Sequence, residues 1–410
     1  MTWLVVSVGL LLLVFLHELG HFTVALAVGI RPRSFYVGFP PALVKIKRKG
    51  IEYGIGVIPL GGLVRIPGMH RPAPHDLVAF TATAVREQPS LSAYVQRVRR
   101  PLEAADFAGA REALPELRAE IESAELSAGA RRGANRALRE IDEGTGEDAY
   151  WRAPTWKRVA VIAAGPVMNI LVAFLIFMVV YATGAPTGNA TTRVGEVEGN
   201  TPAASAGLRA GDRVVAVNGT KTATFERVSK LIRSSNGKPI TVTVRRGNST
   251  VTLGPKATKR SPDGRWIWGF VPATEKVSYP LGHSARLAAN DCWQVATGTV
   301  HAFGAVFHKK ERGQLTSAVG IVRVSQQALK VGFSYYLQIV GLVSMSLALL
   351  NLLPFLPLDG GHILFSLIER VRRRAVAREV YERVSVVGFG LILLLTFIAL
   401  SNDLGGSTPR

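Results

Sequence analysis

Four blocks of apolar residues stand out from an otherwise polar chain: Trp3–Val28, Trp156–Tyr181, Phe333–Leu353 and Val384–Leu400. Each is long enough to cross a hydrocarbon core as a helix, which takes roughly 17–25 residues. Between the blocks the pattern changes. Val44–Tyr53 reads as two strands around a basic, Gly-containing turn. Gly54–Ile66 is apolar but broken by Gly54, Gly56, Pro59, Gly61 and Gly62, which excludes a helix. Non-helical backbone is tolerated at membrane depth only where protein or a wet cavity covers it. The stretch is therefore read as a β-loop whose free edge could receive an extended substrate, with an ordinary surface hairpin as the competing reading. Leu91–Arg100 and Glu103–Ile141 carry apolar residues at helical spacing, for example Leu114, Leu117 and Ile121, and predict a soluble helical hairpin. Strands are expected at Arg193–Val197, Arg213–Asn218, Ile240–Arg245 and Thr250–Leu253, with a helix over Phe225–Arg233 and further strand within Trp266–Pro272. Leu281–Phe307 is helical in period and is expected on the membrane surface. Glu311–Ser325 and Glu369–Arg374 read as loops.

The predicted fold is an α-helical polytopic membrane protein with about four transmembrane helices, a membrane-associated β-loop and an inserted α+β domain. Its segments are a first transmembrane helix (1–30), the β-loop (31–68), a charged helical cytoplasmic insertion (69–155) and a second transmembrane helix (156–183). The α+β domain (190–256), a linker with an amphipathic segment (257–330), a third transmembrane helix with a polar motif (331–361) and a fourth (384–401) follow.

The first apolar block contains His17-Glu18-Leu19-Gly20-His21. Charged groups at such a position cost roughly 2.5–3.5 kcal/mol on insertion scales, so polar residues there are functional by default. Positions i and i+4 share a helix face, which lets His17 and His21 offer two imidazole nitrogens to one zinc ion. Glu18 is then placed to act as base toward a water on the metal. A catalytic zinc site uses three protein ligands and an open position, so the chain must supply a third. The third block runs into Asn351-Leu352-Leu353-Pro354-Phe355-Leu356-Pro357-Leu358-Asp359-Gly360-Gly361-His362, where two prolines break the helix. An aspartate at that depth wants a cation, and Asp359 is the best candidate for the third ligand. In the second block Pro166 is expected to kink the helix, and Asn169 has two open readings, a helix-packing hydrogen bond or an active-site role. His70 and His75 flank a Pro-rich loop and read as solvated, while His283, His301 and His308 show no ligand spacing with one another.

Composition narrows the class. The chain carries 49 Lys and Arg against 29 Asp and Glu, a formal charge of +20. Many of these cations flank the apolar blocks, which fits membrane orientation better than nucleic acid, and no nucleic-acid module is recognisable. The single cysteine, Cys292, cannot form an internal disulfide. No cleavable signal peptide is expected, because a basic leading region is missing and cleavage would discard the histidine motif. Basic stretches at Arg31–Lys49 and Arg370–Arg383 mark the cytoplasmic side, which places both termini and the α+β domain outside. The first and third spans then run in the same direction. His17 lies ~21 Å along its helix from Trp3 at 1.5 Å per residue, so the three candidate ligands fall in the same half of the bilayer.

Two resemblances add to this. Asn200–Gly219, with its Ala-Gly-Leu, Gly-Asp and Val-Asn-Gly steps, resembles the PDZ-domain family, whose members bind extended peptides by strand addition. Taken together, His17-Glu18-Leu19-Gly20-His21, Gly165-Pro166 with Asn169, the PDZ-like insertion and Asn351 to Gly361 resemble the site-2 protease family of intramembrane zinc metalloproteases, in its bacterial PDZ-containing subgroup. The resemblance covers most of the chain apart from residues 70–150. It implies a Zn2+ cofactor held by His17, His21 and Asp359, Glu18 as catalytic base, and Asn351 in contact with the substrate main chain. It implies residence in the bacterial plasma membrane and single-pass membrane substrates such as anti-sigma factors, first trimmed by an upstream site-1-type protease and screened by an extracytoplasmic PDZ domain. Two other classes are weighed against it: a non-catalytic PDZ-bearing receptor with structural zinc, which needs a fourth closing ligand, and a zinc transporter, which needs several intramembrane sites along a path.

Overall fold

The computed structural model describes residues 2–261, 264–305 and 317–404. Helix α1 (Thr2–Ala27) leads into two long strands, β1 (Ser34–Arg48) and β2 (Ile51–Arg65). Five helices follow: α2 (Pro74–Glu87), α3 (Leu91–Glu103), α4 (Phe107–Glu112), α5 (Leu114–Ser123) and α6 (Ala128–Thr145). After α7 (Thr155–Gly184) comes a β domain of β3 (Ala185–Val197), α8 (Pro202–Ser205), β4 (Arg213–Val217), β5 (Thr220–Lys221), α9 (Phe225–Arg233), β6 (Pro239–Arg246), β7 (Ser249–Ala257), β8 (Lys259–Arg260), β9 (Trp266–Ile267) and β10 (Phe270–Val277). The chain ends with α10 (Leu281–Ala305), α11 (Ala318–Val331), α12 (Phe333–Asn351), α13 (Asp359–Arg372) and α14 (Arg378–Leu404).

Among the described residues, α1, α7, α12 and most of α14 are long and apolar enough to cross a membrane. Their outer faces are apolar and bare, as at Val386, Val387 and Phe397 of α14. Such faces suit a lipid environment. The inner faces meet through small residues. A Cβ on Gly20 of α1 would lie 2.4 Å from the Ala164 carbonyl oxygen of α7, and one on Gly341 of α12 would lie 2.5 Å from the Phe177 ring. Close backbone approach of this kind replaces the hydrophobic drive that lipid removes. Ser344 of α12 adds a 2.8 Å hydrogen bond to the Asn169 carbonyl of α7.

Strands β1 and β2 build a sheet with more arms than two hairpin strands would give. Ser34–Val37 lies in register with Glu52–Ile55 on one side and with Arg65–Gly62 on the other, while Val44–Arg48 pairs with Ile55–Ile51. The sheet is polarised along its strands. Arg33, Arg48, Lys49 and Arg65 gather at the end nearest the close of α1, and Phe39, Leu43, Val57 and Ile58 are exposed toward the other.

The 69–155 insertion differs from a hairpin. Its five helices enclose their own core, with Leu77, Leu91, Val98, Leu117 and Ile121 almost fully buried. The helix expected over Glu103–Ile141, with interruptions at Gly129 and Gly133, is divided elsewhere, into α4, α5 and α6, and both glycines lie within α6. Asp106 caps α4 by accepting from the Gly109 N–H at 2.9 Å, and Ser127 caps α6 by accepting from the Ala130 N–H at 3.2 Å. Ion pairs tie this unit to its surroundings: Arg65 to Glu143 at 2.6 Å, Arg33 to Asp148 at 2.7 Å, and Arg378 of α14 to Asp76 and Glu140 at 2.8 and 2.7 Å. His70, read as solvated, is half-buried with its ring 4.8 Å from that of Tyr381, and His75 lies 3.1 Å from Glu379.

The β domain has strand order β10-β3-β4-β6-β7, with β5 on β4. Alternation places Ile240, Val242 and Val244 of β6 in its core beside Val194, Val214, Val228 and Trp268. Strand β10 carries the sheet past the expected boundary at 256, because Phe270–Val277 pairs with β3. Asp212 is buried and held by Arg246 Nε and Nη2 at 2.8 and 2.7 Å and by the Arg209 N–H at 2.9 Å. The Arg246 guanidinium keeps its carboxyl below the ordinary range.

Three expectations in the last third are corrected. Helix α10 is not laid out on a surface by itself: Ala288 and Cys292 are buried against Ala173, Phe177 and Met345 of α7 and α12. Residues 318–325 are helical in α11, started by Ser317, whose hydroxyl accepts from the N–H groups of Val319 and Gly320. Residues 311–316 and His308 lie outside the described residues. Glu369–Arg372 belongs to α13 and not to a loop. Helix α7 runs as one helix through Pro166.

Candidate metal centre

Helix α1 places His17 and His21 one turn apart, and both are buried. Each needs its Nε2 lone pair free to bind a metal, so each ring proton must sit on Nδ1. For His21 that proton is donated to the Val161 carbonyl of α7 at 2.8 Å. For His17 the neighbour is the fully buried Asn169 amide, 3.3 Å from Nδ1. The Asn169 oxygen is otherwise without a hydrogen-bond partner. Turning the amide so that this oxygen faces Nδ1 satisfies both groups and leaves Nε2 free. Asn169 thus reads as a contact to a candidate ligand and not merely as helix-packing glue.

Asp359 reaches the same point from the first turn of α13. The loop before it is tight, since a Cβ on Gly360 would fall 2.2 Å from the Leu352 carbonyl oxygen and one on Gly361 would fall 2.5 Å from the Leu356 nitrogen. Only glycines let α13 start against that backbone. The helix is fixed further along by a buried ion pair between Arg158 of α7 and Glu369 of α13 at 2.6 Å. Glu369 also accepts from the Val376 N–H at 2.9 Å.

The three side chains converge. His17 Nε2 and His21 Nε2 lie 3.2 Å apart, and Asp359 Oδ2 lies 3.2 Å from the first and 3.4 Å from the second. Ligands at about 2.0–2.1 Å from a tetrahedral zinc ion are roughly 3.3 Å from one another, so the triangle has the edge lengths of one tetrahedral face. Asp359 Oδ2 is buried with no hydrogen-bond partner of its own, a state that a cation relieves. Among the described residues this is the one group of three or more His, Cys, Asp or Glu side chains arranged to hold a metal. Two neutral imidazoles and one carboxylate are a catalytic donor set that leaves a fourth position open.

The comparisons decide the family: the description Peptidase family M50 matches residues 5–395. The chain belongs to peptidase family M50, the site-2 protease family. A protein of Agrobacterium fabrum carrying the name zinc metalloprotease Atu1380 is 30% identical over 407 residues, covering 96% of this chain and 93% of that one. The regulator of sigma-W protease RasP of Bacillus subtilis is 27% identical over 419 residues, covering 96% and 95%. Zinc metalloprotease RasP of Geobacillus kaustophilus is 28% identical over 417 residues, with the same coverage. This M50 chain is therefore a membrane zinc metalloprotease.

Several further residues surround the triangle. Glu18 is half-buried and leans on β2, where a Cβ on Gly62 would meet its Cγ at 2.5 Å. Gly165 of α7 lets backbone pass beside the imidazoles, since a Cβ there would lie 2.3 Å from His21 Nε2 and 2.8 Å from His17 Nε2. Asn351 ends α12 and donates to the Leu347 carbonyl at 3.1 Å, so its amide is bonded to its own helix and not to the triangle. His362 stays out of the metal group and stacks toward Tyr381. The contacts of Val161 with His21 and of Arg158 with Glu369, a residue expected in a loop, are not foreshadowed by the motifs. An Arg at the polar edge of an apolar block, after Arg152 and Lys157, and a lone Glu after the Asp-Gly-Gly step were the available hints.

Proposed function

We propose that the chain is an intramembrane endopeptidase that cuts transmembrane segments of membrane-anchored regulators. The observation that carries this reading is the His17–His21–Asp359 triangle with Glu18 beside it, built on α1, which is long and apolar enough to cross a membrane, and on the start of α13. In this reading His17, His21 and Asp359 hold the zinc. When bound there, zinc supplies Lewis-acid polarisation of the scissile carbonyl and makes water nucleophilic at neutral pH. Glu18 takes the proton of the attacking water and passes it to the departing amide nitrogen. Its packing against Gly62 keeps the carboxylate next to the β1–β2 sheet. That sheet receives the unwound substrate as an added strand, because a helical substrate hides its carbonyls in its own hydrogen bonds. Asn351 turns from Leu347 to bind the substrate main chain near the cut.

The β domain acts as a PDZ-like screen on the extracytoplasmic side of the plasma membrane, passing substrates that an upstream protease has already trimmed. Its order of strands and its single long helix support that assignment, and β10 is an edge strand beside which a peptide could pair. The Bacillus subtilis relative is named as a regulator of sigma-W, which supports anti-sigma-factor-like substrates. The test is Glu18→Gln in protein reconstituted with a model membrane peptide. Zinc content should stay at the wild-type level while cleavage disappears. Normal turnover by that variant would remove Glu18 from the base role.

A further inference from the structure

The basic end of the β1–β2 sheet holds a cleft against the close of α1. Its volume is about 580 Å³, with Arg31, Arg48 and Lys49 at the rim and Leu26, Ile51 and Tyr53 as an apolar wall. Arg31 fixes the geometry by donating to the Lys49 carbonyl across the cleft. Neighbouring cations are neutralised: Arg33 by Asp148, Arg65 by Glu143, and Lys45 by Glu52 at 3.7 Å. Among the described residues no carboxylate makes an ion pair with Arg31, Arg48 or Lys49. Three converging cations are thus left for an anion from outside the chain.

The apolar side of the site says which anion. Leu26 is 41% exposed at the last turn of an apolar span. From the cleft the sheet continues into bare apolar positions, Ile46 and Val44 on β1 and Ile55 and Val57 on β2. At roughly 3.3 Å per residue this band extends on the order of 20 Å below the cations. A ligand with a phosphate at the rim and hydrocarbon along that band matches both halves. We propose that this cleft binds the headgroup of an anionic phospholipid, whose acyl chains lie along the exposed face of the β1–β2 sheet. The proposal rests on the sheet being membrane-embedded. It gives the sheet beside Glu18 a lipid anchor at its basic end.

The test uses the full chain carrying Glu18→Gln, delipidated in detergent and titrated with phosphatidylglycerol or phosphatidylcholine under native mass spectrometry. Binding is read without turnover, so it stands or falls separately from the protease reading. A tight phosphatidylglycerol site is expected, with phosphatidylcholine much weaker. Removing three cations in Arg31→Gln/Arg48→Gln/Lys49→Gln should weaken it on the order of a hundredfold, about fivefold per cation. The charge-keeping Arg31→Lys/Arg48→Lys variant should retain the site, and Arg227→Gln/Lys230→Gln/Arg233→Gln on α9 should leave it unchanged. Equal affinity for the two lipids, binding unaffected by the triple variant, loss in the Lys variant, or displacement by excess inorganic phosphate would each overturn the proposal.

Discussion

The metal centre and the helical insertion are both made of helices, yet they are held together by opposite means. In the insertion, bulky side chains at helical spacing fill a core: Leu77, Val98, Leu117 and Ile121 are almost wholly enclosed. At the centre, side-chain bulk is absent where helices touch. Gly20 and Gly360 bring backbones against one another, Gly165 leaves room for the two imidazoles, and polar groups such as Asn169, Arg158 and Glu369 supply the fastening. The contrast follows from the solvent. Water drives apolar side chains together in the insertion, whereas lipid offers no such gain and leaves close packing and buried hydrogen bonds to do it. One region should therefore fail when atoms are removed, and the other when they are added.

The largest effect is expected from one added methyl at the centre. Gly165→Ala puts a carbon into the space of both Nε2 atoms. It should lower zinc content and take cleavage down to the level of metal-free protein, measured by elemental analysis and peptide turnover. Full zinc with full activity would show that α7 yields freely, against the rigid account.

Removing atoms in the insertion comes next. Leu117→Ala should destabilise that unit by about 2–5 kcal/mol, seen as earlier protease nicking within residues 74–145, while the zinc content stays unchanged. Zinc loss in this variant would mean that the two regions fold as one.

The β domain adds a smaller, pH-dependent case. Asp212→Asn should cost about 1–3 kcal/mol in its unfolding, because Arg246 loses its partner. The folded Asp212 carboxyl lies below its ordinary range. Its contribution is therefore present above the unfolded carboxylate value of about 4 and is lost as pH falls through the lower folded value. Wild type and Asp212→Asn should converge in stability at acid pH; a constant gap across pH would reject the ion-pair explanation. The smallest effect is expected at the exposed Arg97–Glu116 pair, where Arg97→Gln should change stability by less than about 0.5 kcal/mol.

The same contrast explains what could be read before any coordinates. The four spans and the His17–His21 pair are written in runs and spacings that chemistry makes rare by accident. Asp359 was legible because a carboxylate after a proline-broken span needs a cation. Signals based on bulk failed where geometry depends on its absence. Nothing in the order of residues shows Gly165 meeting two imidazoles, or Glu369 reaching Arg158 across 211 positions. The start of α13 at Asp359 was hidden because Pro354 and Pro357 signal only the break before it and Glu369–Arg374 reads as a loop, while Gly360 and Gly361 permit the tight entry. In the insertion the true boundaries had visible cues, since Asp106 and Ser127 are good helix caps, whereas the breaks were expected at Gly129 and Gly133. The sheet's extra arms and the run of β10 beyond the strand expected within Trp266–Pro272 depend on pairings distant in sequence, which local alternation does not encode.

The measurement closest to the central claim is zinc binding by the Asp359→Ala chain, read by elemental analysis beside the wild type and His21→Ala. The account predicts stoichiometric zinc in the wild type and loss of it in both variants, with the helices intact by circular dichroism. Wild-type zinc occupancy in Asp359→Ala would contradict it, because the metal would then be held without the carboxylate that completes the triangle.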